Sequence, residues 1–123
     1  MMRESRLHIE ERDLDDVTLL VLTGEMLLDD GDLAFRQCVH TLVERGRLKI
    51  LVDLAGVSYI DSSGVGMMAA KLKTVRERGG DIRLLRLNSR GNRLLSVAKL
   101  HTAFEIYNDE ALARRSFELR PQG

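Results

Sequence analysis

The sequence has a single cysteine, Cys38, among its 123 residues. A lone cysteine excludes an intrachain disulfide and a metal centre built from several cysteines. Its place on the apolar side of a predicted helix indicates a small core residue. No apolar run reaches the ~18 residues of a membrane-spanning helix, and the N-terminus has no hydrophobic signal-peptide core. We therefore expect a soluble, cytoplasmic protein that holds no metal ion or other cofactor.

An excess of charge of either sign is also missing. There are 19 Lys plus Arg against 19 Asp plus Glu, so the formal net charge is zero. Aromatic residues make up 4% of the chain and are not interleaved with a basic run. Neither nucleic acid nor an anionic membrane is therefore expected as a partner. The length suits a single domain spanning residues 1–123, with a core of about 7–118 and a tail, 119–123, that we expect to fray.

What is present is an alternation of strand-like and helix-like segments. Helices between successive strands predict a parallel sheet, and two N-terminal strands are close enough in sequence to pair antiparallel. The expected fold is α/β, with a mixed, mostly parallel central sheet of about five strands and about four helices. Strands are predicted at 7–10, 17–22, 49–54, 82–87 and 104–107, and helices at 31–45, 63–78, 89–98 and 109–117.

Three connections in the first half complete the prediction. Residues 11–16 are predicted as an acidic turn between the first two strands, and Thr23-Gly24-Glu25 as the end of the second strand. Residues 26–31 are predicted to be irregular. Asp29, Asp30 and Asp32 then gather where the first helix begins, and carboxylates there complement the helix dipole.

A polar turn, residues 57–66, lies between the central strand and the second helix. Such a position is where α/β sheets place their chemistry. The turn lacks the first glycine of a Gly-x-Ser-x-Gly nucleophile elbow, and the three histidines, His8, His40 and His101, lie elsewhere in the chain. Gly64-Val65-Gly66 is only a fragment of a phosphate-binding loop. We therefore expect no enzymatic activity.

Asp61, Ser62 and Ser63 have two readings at this point. One is helix capping, in which a side-chain oxygen accepts a hydrogen bond from a free backbone N–H. The other adds a function, because a single residue is enough for the cap and a hydroxyl is then left exposed. The residues alone leave both open.

The motif Val52-Asp53-Leu54-x-x-Val57-x-x-Ile60-Asp61-Ser62-Ser63-Gly64-Val65-Gly66 resembles the signature of STAS domains, the anti-sigma factor antagonists of bacteria. The resemblance covers most of the chain. It includes Leu22-Thr23-Gly24-Glu25, Gly79-Gly80 with the strand that follows, Arg93-Leu94-Leu95 and Leu100-x-x-x-Phe104-x-Ile106. After Gly24-Glu25 the chain departs from the family pattern, because Met26-Leu27-Leu28-Asp29-Asp30-Gly31 replaces its usual loop.

The resemblance implies a binding protein that switches partners. Its partners would be an anti-sigma factor serine kinase with a histidine-kinase-like ATPase fold, and a phosphoserine phosphatase. The serine after the aspartate, Ser62 here, would be phosphorylated by the kinase. The expected partner-binding residues are Asp61, Ser62, Ser63, Gly64, Met67 and Lys71.

Two alternatives stay open within this reading. Met67 falls off the apolar stripe of the second helix and is either an exposed interface residue or a peripheral core residue. The chain could instead be a non-phosphorylated STAS scaffold, or a ligand-sensing subunit of a larger signalling or transport complex, since its loop at 26–31 is unusual. In either case a monomer or weak dimer is expected.

Overall fold

The computed structural model describes residues 7–26 and 30–118. Within them, five strands form one sheet in the order in which they occur in the chain: β1 (Leu7–Leu14), β2 (Val17–Met26), β3 (Lys49–Ile60), β4 (Asp81–Leu85) and β5 (Ile106–Tyr107). β1 and β2 pair antiparallel, and every later pair is parallel. The helices are α1 (Asp30–Glu44), α2 (Ser62–Glu77), α3 (Ser89–Val97) and α4 (Glu110–Ser116). The predicted α/β fold with a mixed, mostly parallel sheet is confirmed.

Helices cover the sheet on both faces. Alternate residues of the central strands, such as Leu20, Val52 and Leu84, pack in one cluster with apolar residues of α1, α2 and α3. The residues between them, such as Leu19 and Leu51, pack on the other face with Ala113 and Phe117 at α4. Burial on both faces explains why these strands read as nearly continuous apolar runs.

The predicted core faces of the first two long helices are confirmed. Phe35, Val39, Leu42 and Val43 of α1 are buried, and Cys38 is partly buried against the same cluster. The stripe predicted for α2 consists of Val65, Met68, Ala69, Leu72 and Val75. All of these are buried except Ala69, which packs partly buried against the cluster.

β1 is longer than predicted. Residues 11–14 are not an acidic turn, because they continue to pair with Leu20 through Val17. The hairpin is closed by Asp15 and Asp16 alone, with Asp15 at φ 66. Glu11 is exposed although it is part of the strand, since an edge strand can be held by backbone pairing alone. The polar side chains therefore gave a misleading signal for a turn.

β2 and β3 also extend beyond their predicted ends. Thr23-Gly24-Glu25 does not terminate β2, because Glu25 pairs with Tyr59 and Met26 with Ile60. Two register shifts between β2 and β3 accommodate the irregular stretch. The two extensions support each other across the sheet, which is a long-range pairing that local pattern does not contain. Residues 57–60, predicted as part of the turn, are thus strand, and the turn itself begins at Asp61.

The C-terminal strands are shorter than predicted. β4 ends at Leu85 because Arg86 takes a left-handed backbone conformation, φ 58. β5 contains only Ile106–Tyr107, while Phe104, predicted as its start, is buried in the main core cluster. The predicted stop of α2 is confirmed, with Gly79 at φ 90 just after the helix.

Several predictions fall outside the described residues. These are the irregular segment 27–29, the frayed tail 119–123, and the side chains of the acidic group at the start of α1. The predicted irregular segment is otherwise incorrect at its borders, since Met26 belongs to β2 and α1 begins at Asp30.

Candidate functional site

The site is built where β3 gives way to α2, at the carboxyl edge of the parallel strands. Asp61 is the N-cap of α2, with φ −100 and ψ 177, and its Oδ1 accepts a hydrogen bond from the Gly64 N–H at 2.9 Å. Its own N–H donates to the Met26 carbonyl at 3.3 Å, which ties the cap to the end of β2. The extension of both strands therefore sets where the helix can begin.

Capping accounts for only one of the three polar side chains. Ser62 is the first residue of α2 and is exposed, and Ser63 is half-buried. Within residues 7–26 and 30–118, neither hydroxyl makes a hydrogen bond. Ser62 thus presents a hydroxyl at the protein surface that this part of the chain does not use.

The two glycines of the turn have different environments. A Cβ at Gly64 would lie 3.1 Å from the Met26 carbonyl oxygen and 3.0 Å from Cγ1 of Ile60, so this position has no space for a side chain. Gly66 is exposed, and a Cβ there would meet nothing within 4 Å. Gly64 is needed for packing, whereas packing does not explain Gly66.

The two remaining predicted partner-binding residues, Met67 and Lys71, lie in different environments. The structure decides between the two alternatives for Met67: it is only 7% exposed and packs in the main core cluster, so it is a peripheral core residue and not an exposed interface residue. Its long, flexible side chain reaches the core from an off-stripe position and covers the edge of the core. Lys71 is half-buried and lines an open groove of about 480 Å³ between α1 and α2. The other lining residues are Leu33, Arg36, Gln37, His40 and Thr41.

Sequence reasoning missed a pair beside the turn. The Arg90 guanidinium lies over the Tyr59 ring, 4.4 Å from its centroid, and its Nη2 donates a hydrogen bond to the Tyr59 hydroxyl at 2.9 Å. Tyr59 is at the end of β3 and Arg90 is in the first turn of α3. The available signal was an aromatic residue within the polar stretch 57–66, in a chain with only 4% aromatics.

The described residues do not assemble a catalytic centre around Ser62. His8, His40 and His101 are exposed, and the Nε2 of His40 lies 3.6 Å from Glu44. In the same part of the chain, no group of three or more His, Cys, Asp or Glu side chains could hold a metal ion. None of its helices is long and apolar enough to cross a membrane.

Comparison with known sequences finds a family and named relatives. The family model of the STAS domain matches residues 8–113. The anti-sigma F factor antagonist of Paenibacillus polymyxa is 26% identical over 113 residues, which cover 92% of this chain and 97% of that protein. The anti-sigma-B factor antagonist of Listeria monocytogenes is 30% identical over 106 residues, covering 85% and 90%.

Comparison with solved structures finds the same fold. The anti-sigma factor antagonist SpoIIAA in its unphosphorylated form superposes with a TM-score of 0.79 at 17% identity, covering 94% of this chain and 100% of that chain. The phosphorylated form of the Bacillus cell fate determinant SpoIIAA superposes with a TM-score of 0.72 at 18% identity, covering 92% and 100%.

Proposed function

Because the chain belongs to the STAS domain family, we propose that it is an anti-sigma factor antagonist. In this proposal it binds an anti-sigma factor serine kinase and is released when the kinase phosphorylates Ser62. The observation that carries the proposal is the exposed Ser62 hydroxyl, which has no hydrogen bond in the described residues. The two named sequence relatives are antagonists of anti-sigma factors, and SpoIIAA, which shares the fold, exists in a phosphorylated form.

A phosphate on Ser62 is compatible with the fold. Phosphorylation adds a charge of about −1.5 to −2, and Ser62 is the first residue of α2. An anion at a helix N-terminus is favoured by the helix dipole by ~0.3–1 kcal/mol. Repulsion from the neighbouring Asp61 acts against this, but solvent and salt screen it at an exposed site. We therefore expect the phosphorylated chain to keep its structure.

The effect on a bound partner is larger. A surface that is complementary to a neutral hydroxyl would have to accept a dianion, and burying such a charge without a partner costs several kcal/mol. A loss of ~2.7 kcal/mol already weakens binding about a hundredfold. Phosphorylation can thus separate the two proteins without any change in the fold of this one. A phosphoserine phosphatase would reset the cycle, and the chain itself would act without catalysis.

The docking surface in this proposal includes Asp61, Ser62 and Ser63, with Gly64 shaping the backbone beneath them. Gly66 lies one turn after Ser62, on the same exposed side of α2, and its bare backbone allows another protein to approach closely. Lys71 extends this surface toward the groove between α1 and α2. Leu33, which is 47% exposed, lies on the α1 side of that groove.

Phosphorylation is tested by incubating the chain with a purified anti-sigma factor serine kinase of its own organism and ATP. Mass spectrometry should find one phosphate, on Ser62. A Ser62→Ala variant should stay unmodified, and a Ser63→Ala variant should still carry its phosphate on Ser62. Phosphate on a residue other than Ser62 would refute the proposal. The absence of any phosphate would also refute it, provided that the kinase preparation phosphorylates a control substrate.

Binding is tested with the same kinase. Ser62→Asp should weaken the complex, Ser62→Ala should bind and resist release by ATP, and Ala111→Asp, an exposed change on α4, should behave as wild type. If Ser62→Asp leaves the affinity for the kinase unchanged, the alternative of a non-phosphorylated scaffold is favoured.

A further inference from the structure

Tyr59 and Arg90 form an ordered pair on the surface beside Ser62. The ring stacks against the guanidinium at 4.4 Å, and the hydroxyl accepts a hydrogen bond from Nη2 at 2.9 Å. Both residues are exposed, so the contact does not fill the core. Two contacts nevertheless hold the long Arg90 side chain in one conformation. A side chain ordered in advance loses less entropy when it binds.

Most donors of Arg90 remain available. A guanidinium has five N–H donors, and the pair with Tyr59 uses one of them. Within residues 7–26 and 30–118, Arg90 makes no ion pair with a carboxylate. Stacking on an aromatic face leaves the guanidinium edge free, and that edge matches a carboxylate in bidentate geometry.

The chain segment that contains Arg90 is basic although the whole chain is neutral. Residues 82–104 contain no Asp or Glu, while they contain Arg83, Arg86, Arg90, Arg93 and Lys99. Arg83 is buried and Arg86 is paired with Asp53 at 3.1 Å. Arg93 is exposed one turn after Arg90 on α3 and makes no ion pair within the described residues. The start of α3 therefore presents positive charge that the adjoining segment of the chain does not neutralise.

We propose that the Tyr59–Arg90 pair, together with Arg93, is a second anchor of the kinase-binding surface and takes a carboxylate from an acidic patch of that protein. This inference rests on the proposed function. The pair lies next to the Ser62 turn, since Tyr59 precedes Ser62 by three residues. Tyr and Arg are also, with Trp, enriched among the residues that dominate binding energy. Ser62 then controls release, and the pair contributes to affinity in the unphosphorylated state.

The test measures binding of the unphosphorylated full chain to the purified kinase by calorimetry at two salt concentrations. Arg90→Glu should weaken the complex at least about tenfold, the range of a dominant interface residue. Arg90→Lys should weaken it by a smaller factor, because it keeps the charge and loses the planar stack. The matched control is Arg115→Glu, an exposed charge reversal on α4, which covers the opposite face of the sheet. It should change affinity less than about twofold, the effect of a charge outside the interface.

The outcomes separate this inference from the proposed function. If Arg90→Glu binds as wild type while Ser62→Asp still weakens the complex, the anchor is refuted and the proposed function stands. Equal losses for Arg90→Glu and Arg115→Glu would also refute it, since they would show a general charge effect. If Ser62→Asp leaves the affinity unchanged, the proposed function itself fails. Tyr59→Phe, which removes only the hydroxyl that accepts from Arg90, checks the pair without a charge change and should weaken binding severalfold.

Discussion

Oδ1 of Asp61 accepts a hydrogen bond from the backbone N–H of Gly64 at 2.9 Å, and this contact begins helix α2. It places Ser62 as the first helical residue with its side chain at the surface. The two residues therefore have different roles in the turn. Asp61 holds the backbone, and the exposed Ser62 hydroxyl makes no hydrogen bond within the described residues.

Removing the cap should destabilise the fold. Asp61→Ala loses the hydrogen bond to the Gly64 N–H, and loss of an N-cap costs ~1 kcal/mol. Asp61→Asn keeps an acceptor oxygen and should cost less. Urea unfolding followed by circular dichroism measures both, and equal stability of Asp61→Ala and wild type would contradict the assigned cap.

The two glycines of the turn should respond in opposite ways to alanine. Gly64→Ala pushes a methyl group against the Met26 carbonyl oxygen at 3.1 Å, and overpacking of this kind costs ~1–3 kcal/mol. Gly66→Ala meets open space and should stabilise the chain by up to ~1 kcal/mol, the difference in helix propensity. The same Gly66→Ala change should weaken kinase binding if the partner approaches the bare backbone. Unfolding and affinity are measured on both variants, and a Gly66→Ala chain that is more stable and binds normally would remove Gly66 from the docking surface.

Arg83 should be the most costly charged residue to replace in the C-terminal half. Its side chain is 7% exposed and donates to Asp81 at 2.9 Å and to Ser116 at 2.6 Å. It also lies 4.4 Å from the centre of the Phe117 ring, so it links β4 to α4. Asp81 keeps its ion pair with Arg76 at 2.8 Å, so Arg83→Met should lose ~1–3 kcal/mol, the cost of removing one partner of a buried hydrogen bond. Chemical unfolding checks this, with Arg115→Met as the exposed control expected near wild type.

The Cys38 thiol should react slowly in the folded protein. Burial raises the pKa of the Cys38 thiol above its ordinary value of 9.0, so the thiolate fraction at neutral pH falls below that of an unfolded cysteine. Since the thiolate is the reactive form, labelling with a disulfide reagent at pH 7.5 should be slower in buffer than in urea. The folded rate should still be rising with pH above 9, because burial raises the pKa of the Cys38 thiol above that value. Equal rates in the two solvents would show that Cys38 is open to solvent.

The alternation of apolar segments in the sequence by itself determined the architecture. Buried runs such as residues 17–22 and 49–54 have to be strands covered on both faces, and the stripes on α1 and α2 have to face them. The end of α2 just before Gly79 was predicted from the preference of glycine for the left-handed backbone conformation that ends a helix. Local pattern left two interpretations of the polar turn open, and only the resemblance to STAS domains singled out Ser62.

Only the tertiary structure decided where the strands end and what surrounds the turn. Residues 57–60 are strand because the extended end of β2 pairs with them, and a pattern of neighbours cannot show a partner so distant in sequence. Met67 is buried for a related reason, since the width of the core is set by elements packed together. Tyr59 and Arg90 are 31 residues apart, and they meet because parallel strands bring the end of β3 beside the start of α3.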